Sequence, residues 1–414
     1  MSSMRMAPLL RARPQPSRVS VTQVRYATDL VISHSPGASQ KVKPIIKYGP
    51  PTGGRSAVSG HTVTVFGCTS FLGRYLVAKL GKAGVQVILP YRDEDEKRHL
   101  RVNGDLGQIV PLEWDARRPE QTYECLKHSD TVYNLVGRDW ETRNYKYNDV
   151  NVDVAASIAS IAAQHGTPRL IHVSHLNAAP DSPSAFYRSK YAGERAVRDA
   201  FPEATIVRPG PLYGPEDWLL NAAVRYPAFF KLNGGNTRIL PVHVVDCAAA
   251  LETMLTAPLT STASTFVLPG PRPVTYNEIL DIVSFFTLRK ISSAPDLTKP
   301  IAKLIATVAN RAIWWPTVSP DEIERRYLDD VGVDLLAAKP QEDAPSGWAN
   351  TETPLGFKGV DGETAKGWAD LSIIPDPIED HAITTLRRFR KAYDYDAPTE
   401  VGGFKPPKKY HVVP

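Results

Sequence analysis

The chain has 414 residues, with 49 Lys and Arg against 44 Asp and Glu, a formal net charge of +5. Five arginines (Arg5, Arg11, Arg13, Arg18 and Arg25) and no acid fall in residues 1–28, so the rest is charge-balanced and gives no support to nucleic-acid binding. No run of about 18 apolar residues occurs, which argues against a transmembrane span; Cys68, Cys125 and Cys247, far apart and without a CxxC pair, read as reduced buried thiols rather than a disulfide framework or metal site.

In chain order, residues 1–28 have the Arg- and Ser-rich, acid-free pattern of a mitochondrial targeting segment, with Arg25-Tyr26-Ala27 as a processing site; an unstructured basic tail is the alternative. Residues 29–60 read as an extended lead-in, 61–215 as a nucleotide-binding α/β core, 216–320 as a smaller lobe that lends strands and helices to it, and 321–414 as a docking segment and tail.

The core begins with Thr62 to Phe66, a β-branched and aromatic strand. Gly67 allows a sharp turn, and Phe71 to Leu80 follows as a helix. The loop Gly67-Cys68-Thr69-Ser70-Phe71-Leu72-Gly73-Arg74 has the spacing G-x-x-S-x-x-G, with Ser70 where a third glycine would stand. Such a turn aims backbone N–H groups and the positive end of a helix at one point, which suits a pyrophosphate. Alone it is a weak signal, because glycine turns also serve packing. The strand from Val85 to Leu89 supplies the required strand–helix–strand context.

That strand runs into Pro90-Tyr91-Arg92, with no carboxylate before Asp93. A ribose 2′-hydroxyl calls for an acid there and a 2′-phosphate for a cation, so Arg92, assisted by Arg74, favours NADP(H) over NAD. A solvated loop charge is the plainer reading of Arg92.

Gln108 to Trp114 forms the next strand and ends on Asp115, either a contact to the adenine edge or a cap of the following helix. Thr131 to Val136 is the fourth strand, with Gly137 at its end; Asn148 to Ala163 has helical spacing; Leu170 to Val173 is the fifth strand, followed by Ser174. This alternation implies a Rossmann-type, doubly wound parallel sheet with a smaller C-terminal α/β lobe and an extended C-terminal tail. Gly67, Arg92, Asp115, Val136, Gly137 and Ser174 all fall at the carboxyl ends of its strands, where ligands bind.

Phe186-Tyr-Arg-Ser-Lys190 on a helix, Thr205-Ile-Val-Arg-Pro209-Gly210-Pro-Leu212-Tyr and Pro241-Val-His-Val-Val-Asp246, together with the glycine loop, resemble the extended short-chain dehydrogenase/reductase family. The resemblance implies a Ser, Tyr and Lys trio, and Ser174 and Lys190 match two of its positions. Pro209, Gly210 and Leu212 join the implied cofactor-binding set. The tyrosine belongs four residues before the lysine, where this chain has Phe186. Tyr187 is no substitute, since one helical step turns about 100°. The site therefore reads as equipped to hold a cofactor and without the group for turnover: Lys190 keeps its donors for a ribose, while phenylalanine cannot exchange a proton.

Asn134-Leu-Val-Gly-Arg-Asp-Trp-Glu-Thr-Arg-Asn144, with Val63-Thr-Val-Phe-Gly67 and Ile206-Val-Arg-Pro-Gly210, resembles the nucleotide-binding accessory subunits of mitochondrial respiratory complex I. That resemblance implies tightly held NADPH, other complex I subunits as partners, a peripheral place on the matrix side of the inner membrane, and no catalysis by the chain itself. The competing expectations are an active matrix NADP-dependent reductase or epimerase and a structural protein with an empty cleft.

In the smaller lobe, Trp218 to Phe230, Val244 to Leu255 and Asn277 to Thr287 are predicted helices, with a turn at Asn233 to Asn236 and a short strand near Arg238 to Leu240. Lys299 to Trp315 places Ile301, Leu304, Ile305, Val308 and Ala312 on one helical face, ahead of two tryptophans. Either it is a core helix or it docks on a partner or at the bilayer surface. Arg387, Arg388, Arg390 and Lys391 end a predicted helix; the dipole of that helix accounts for them more simply than contact with inner-membrane lipid does. The Pro- and Gly-rich tail is expected to lie along another protein.

Overall fold

The computed structural model describes residues 59–142, 144–225, 231–256, 263–289, 295–312, 319–333, 357–392 and 395. The targeting segment, most of the lead-in, Trp314, Trp315 and the terminal tail lie outside them.

Short β-branched runs make the strands and amphipathic segments make the helices between them. In order these are β1 (Thr62–Phe66), α1 (Phe71–Lys82), β2 (Gln86–Tyr91), β3 (Ile109–Glu113), α2 (Pro119–Leu126), β4 (Thr131–Asn134), α3 (Val154–His165), β5 (Arg169–Val173), α4 (Ala185–Ala200) and β6 (Thr205–Pro209). A seventh strand, β11 below, completes a parallel sheet in the order β11-β6-β5-β4-β1-β2-β3. The order reverses between β1 and β4, which opens a crevice at the carboxyl ends of those two strands. Register is fixed by Val63 against Val87 on one side and against Thr131 on the other. Val63, Val65, Val87, Leu89, Val132 and Ile171 are fully buried, as expected for strands covered by helices on both faces.

Asn148 to Ala163, predicted as one helix, starts instead as a π-helical turn, Asp149–Asp153, before α3. Its close packing against α4 is tight enough that a Cβ on Gly193 would lie 2.1 Å from the Asn151 carbonyl oxygen. The wider turn carries Asn151 inward.

The rest of the chain alternates between a small lobe and the main sheet. It comprises β7 (Leu212–Tyr213), α5 (Leu219–Arg225), β8 (Lys231–Leu232), β9 (Arg238–Ile239), β10 (Val242–His243), α6 (Val244–Thr256), β11 (Thr265–Leu268), β12 (Val274–Thr275), α7 (Tyr276–Thr287), β13 (Asp296–Leu297), α8 (Lys299–Ala312), α9 (Pro320–Arg325) and α10 (Ile378–Leu386). Of the predicted helix from Trp218 to Phe230, Leu219–Arg225 is helical and 226–230 fall outside the described residues. Helix α6 returns to pack on α1, and β11 pairs with β6.

Much of the C-terminal stretch also folds back onto the body. Val267 N donates to the Lys366 carbonyl (2.8 Å), and the Trp368 indole, 2% exposed, donates to the Pro269 carbonyl (2.7 Å). Helix α10 buries Ile378, Ala382 and Leu386 against α7. This stretch falls within the expected docking segment; its apolar residues are sparse, but each of these is almost fully buried.

Candidate functional site

The glycine loop is built as its spacing requires. Gly67 has φ +80°, a left-handed conformation, and a Cβ there would lie 3.0 Å from the Leu135 carbonyl carbon at the end of β4. A Cβ on Gly73 would lie 2.3 Å from the Gly67 carbonyl oxygen, so only glycine lets α1 start this close to β1. Ser70 caps α1, its Oγ accepting from Gly73 N (3.2 Å), which leaves its own proton free to donate outward. Thr69 accepts from Arg74 Nε at its carbonyl (3.0 Å); Leu72 is buried in the core, and Phe71 packs edge-on against Tyr75. Arg74 also pairs with Glu216 (2.6 Å), so its charge is already balanced and its expected help at a 2′-phosphate is weakened.

Around the rim, Arg92 follows β2 and is exposed. Asp115 does not cap the following helix, whose N-cap is Arg118, but closes the turn before it: its Oδ1 accepts from Arg117 N (3.0 Å) and its N–H donates to Gln121 Oε1 (2.8 Å). Val136 N donates to Asn134 Oδ1 (3.1 Å), which holds the chain leaving β4 beside Gly67. Gly210 is a second close approach, since a Cβ there would meet the Leu240 carbonyl oxygen at 2.2 Å. Pro209 accepts from Leu176 N (2.9 Å) and Leu212 pairs with Val242, fixing the far end of the rim.

Lys190, on α4, and Ser174, just past β5, are both buried at this rim. A Cβ on Gly137 would sit 2.7 Å from Lys190 Nζ and 3.7 Å from Asn151 Oδ1, so the glycine keeps open a space that both side chains border. Asn151 donates from Nδ2 to Ser189 Oγ (2.9 Å), but its Oδ1 has no partner. Ser174 Oγ and both ring nitrogens of His172, all buried, are also unpaired. Burial draws the Lys190 ammonium below its ordinary value, against the pull of Asp139 and Glu194. Burial and then Lys190 lower His172 from 6.5 to about 3, so it is neutral. Buried polar atoms are nearly always paired, so this concentration of unpaired ones beside a glycine cradle is what a polar ligand would satisfy. Sequence reading found Ser174 and Lys190 but missed Asn151, whose place depends on the π-turn.

Next to this open patch the chain is closed. The Phe186 ring packs against Tyr147 (5.9 Å), His175 (6.0 Å) and Tyr187 (5.6 Å), and the Arg325 guanidinium lies over it at 4.6 Å. Arg325 donates to the Asp139 carbonyl (2.8 Å), which also accepts from the Tyr147 hydroxyl (3.0 Å). Asp321, from the same helix α9, caps α4: it accepts from Ser184 Oγ (2.8 Å), Ala185 N (2.8 Å) and Phe186 N (3.3 Å). Tyr187 is buried, its hydroxyl facing Asn177 and Asp330 rather than Lys190, as the helical step predicts.

Helix α8 settles one sequence alternative. Ile301 (51%), Leu304 (65%), Ile305 (52%) and Val308 (58%) are exposed, while Ala302 and Ala306 face the body. The core-helix expectation is therefore wrong; the aliphatic stripe points outward because Lys299 and Lys303, on the other face, pair with Glu324 of α9. Of the basic cluster near the end, Arg390 is buried and bonds the Phe286 carbonyl (2.7 Å), while Arg388, exposed, is tied to Asn221 Oδ1 (2.8 Å) and the Pro215 carbonyl. Among the described residues no cluster suits a metal and no helix is long and apolar enough to cross a membrane.

Fold and site together define a Rossmann protein of the epimerase type, and residues 63–268 match the NAD dependent epimerase/dehydratase family. The solved structure of gox2253 superposes with a TM-score of 0.54 at 18% identity, over 80% of this chain and 99% of that one, a likeness of fold alone. Closer in sequence is the NADH-ubiquinone oxidoreductase 40 kDa subunit of Neurospora crassa, 39% identical over 400 residues, or 95% of this chain and 96% of that one. The NADH dehydrogenase (ubiquinone) 1 alpha subcomplex subunit 9 of Mus musculus is 36% identical over 387 residues, 92% and 93% of the two chains. The chain belongs to this family of mitochondrial complex I subunits, the alpha subcomplex subunit 9 or 40 kDa type.

Proposed function

We propose that this chain holds one NADPH in the crevice between β1 and β4 as a fixed part of complex I, on the matrix side, and does not turn it over. The observation that carries this reading is the contrast at Lys190. On one side Asn151 Oδ1 and the Gly137 cradle are open, and Ser174 Oγ, just past β5, is buried and unpaired. On the other, the position that needs a phenol is Phe186, covered by Arg325.

The residues fit the cofactor. The loop Gly67, Thr69, Ser70, Phe71, Leu72 and Gly73 aims the start of α1 at a pyrophosphate. The N–H groups of Ser70 and Gly73 are used within the loop, on the Gly67 carbonyl and Ser70 Oγ, so the helix-start N–H groups of Phe71 and Leu72 do the donating. Arg92, without an acid before it on its strand, suits a 2′-phosphate. Lys190 donates to a ribose hydroxyl, and Ser174 and Asn151 gain the partners they lack. Bound NADPH supplies a hydride donor, but this chain has Phe186 where the family has its proton-passing phenol. That group is commonly worth about two to four powers of ten in rate.

The exposed stripe of α8 is a docking face within the assembly. A neighbouring subunit suits it better than inner-membrane lipid, because its two lysines are already tied to Glu324 and lipid-facing helices rely on free basic flanks.

The direct test offers NADPH and a panel of aldehydes and ketones to the purified full chain. Oxidation at the buffer rate is expected; brisk, carbonyl-dependent oxidation favours the reductase reading instead.

A further inference from the structure

Three arginines follow strands of one half of the sheet: Arg92 after β2, Arg117 after β3 and Arg138 after β4, with β1 between β4 and β2. Among the described residues none of them pairs with a carboxylate, whereas Arg198, Arg208 and Arg272 elsewhere in the chain all do. The acids near by are engaged otherwise. Asp115 caps its own turn, Asp93 Oδ1 accepts from Asp95 N (3.0 Å), and the charge of Asp139 is felt at Lys190.

Arg138 differs from the other two in being half-buried, backed by the Trp140 ring at 5.7 Å. Arg117 lies instead over the Tyr145 ring at 4.7 Å. Strands β2 and β4 flank β1, and adjacent strands are about 4.8 Å apart, so the chains carrying Arg92 and Arg138 leave the sheet roughly 10 Å apart on either side of Gly67. Burial, and after it the charge of Arg92, draw Arg138 below its ordinary value, so the two cations share one field. Like charges held this close repel unless an anion lies between them. A phosphate ester offers the charge and the acceptors that two guanidinium forks need.

We propose that Arg138 is the second cation of a two-arginine clamp that, with Arg92, grips the 2′-phosphate of NADPH at the open end of the crevice. The clamp rests on the nucleotide reading above and extends it by making the loop after β4, as well as the end of β2, decide between NADPH and NADH. The Trp140 ring, 5.7 Å from the Arg138 guanidinium, backs it on the side away from the ligand in this proposal.

The test titrates the full-length chain with 2′,5′-ADP and, separately, with 5′-AMP, for the unaltered protein and for Arg138→Met, Arg138→Lys and Arg117→Met. The unaltered chain is expected to prefer 2′,5′-ADP. Arg138→Met should cut that preference about 10- to 100-fold, the worth of a charge-assisted hydrogen bond, with 5′-AMP binding kept. Arg138→Lys should retain part of the preference, and Arg117→Met all of it. A preference unchanged in Arg138→Met, equal losses for both compounds, or the same loss in Arg117→Met would overturn the clamp while leaving nucleotide binding in place. Binding of neither compound by the unaltered chain would remove both proposals.

Discussion

The two sides of Lys190 are built on opposite principles. On one side the chain leaves buried acceptors and donors unmatched, at Asn151 beside Gly137 and at His172 and Ser174 at the end of β5. Toward Phe186 the polar groups around the start of α4 are largely matched from within the chain: Asp321 satisfies the start of α4 and Arg325 bridges the Phe186 ring and the Asp139 carbonyl, although Arg325 Nε has no hydrogen-bond partner. An unmatched buried group costs stability until a ligand completes it, whereas a matched one contributes in the free chain. The open side therefore answers to a ligand and the closed side to the fold.

That difference breaks most visibly at Asp321. Asp321→Ala strips three hydrogen bonds from the start of α4 and should cost about 2–4 kcal/mol, read from a urea unfolding curve; a loss near zero would mean the closed side is not structural. Acid should act next. Burial first, with nearby cations, lowers His172 and His175 from 6.5 to about 3, and His243 to about 4. In the unfolded chain these rings take up protons below about pH 6.5, so their contribution is full above that pH and is lost on acidification. Asp246 and Asp330, raised to about 6 chiefly by burial, act the other way: their contribution is full below about pH 4 and fades as pH rises through 6. Three histidines outweigh two aspartates, so the urea midpoint should be lower at pH 5 than at pH 7, and His243→Phe should flatten the slope.

Outside both regions, Leu304→Asp with Val308→Asp should move stability by less than about 0.5 kcal/mol yet abolish incorporation into complex I, followed on a native gel. Retained incorporation would refute the docking face. The smallest effect is expected at Ser174→Ala. Removing an unpaired hydroxyl should leave the free chain as stable or slightly more so, and a clear loss of stability would show that the open side is not open.

Much of this was legible in the residues. Thr62–Phe66, Gly67 and the strand Gln86–Tyr91 declare themselves, because a β-branched and aromatic strand, a glycine turn and a second strand have few other readings. Lys190 without its tyrosine was equally plain. The closed side was hidden, because Asp321 and Arg325 reach partners more than 130 residues away in sequence. The π-turn that aims Asn151 has the same apolar spacing as an ordinary helix. In α8 the periodicity gave one apolar face but not its direction, since spacing records that a stripe exists and not whether anything covers it.

The central claim is that the crevice keeps a phosphorylated nucleotide that it does not consume. Acid or heat denaturation of purified complex I, followed by chromatographic identification of the nucleotide released with this chain, tests it most directly. The account predicts about one NADPH per chain. Recovery of no dinucleotide, or of NADH alone, would contradict it.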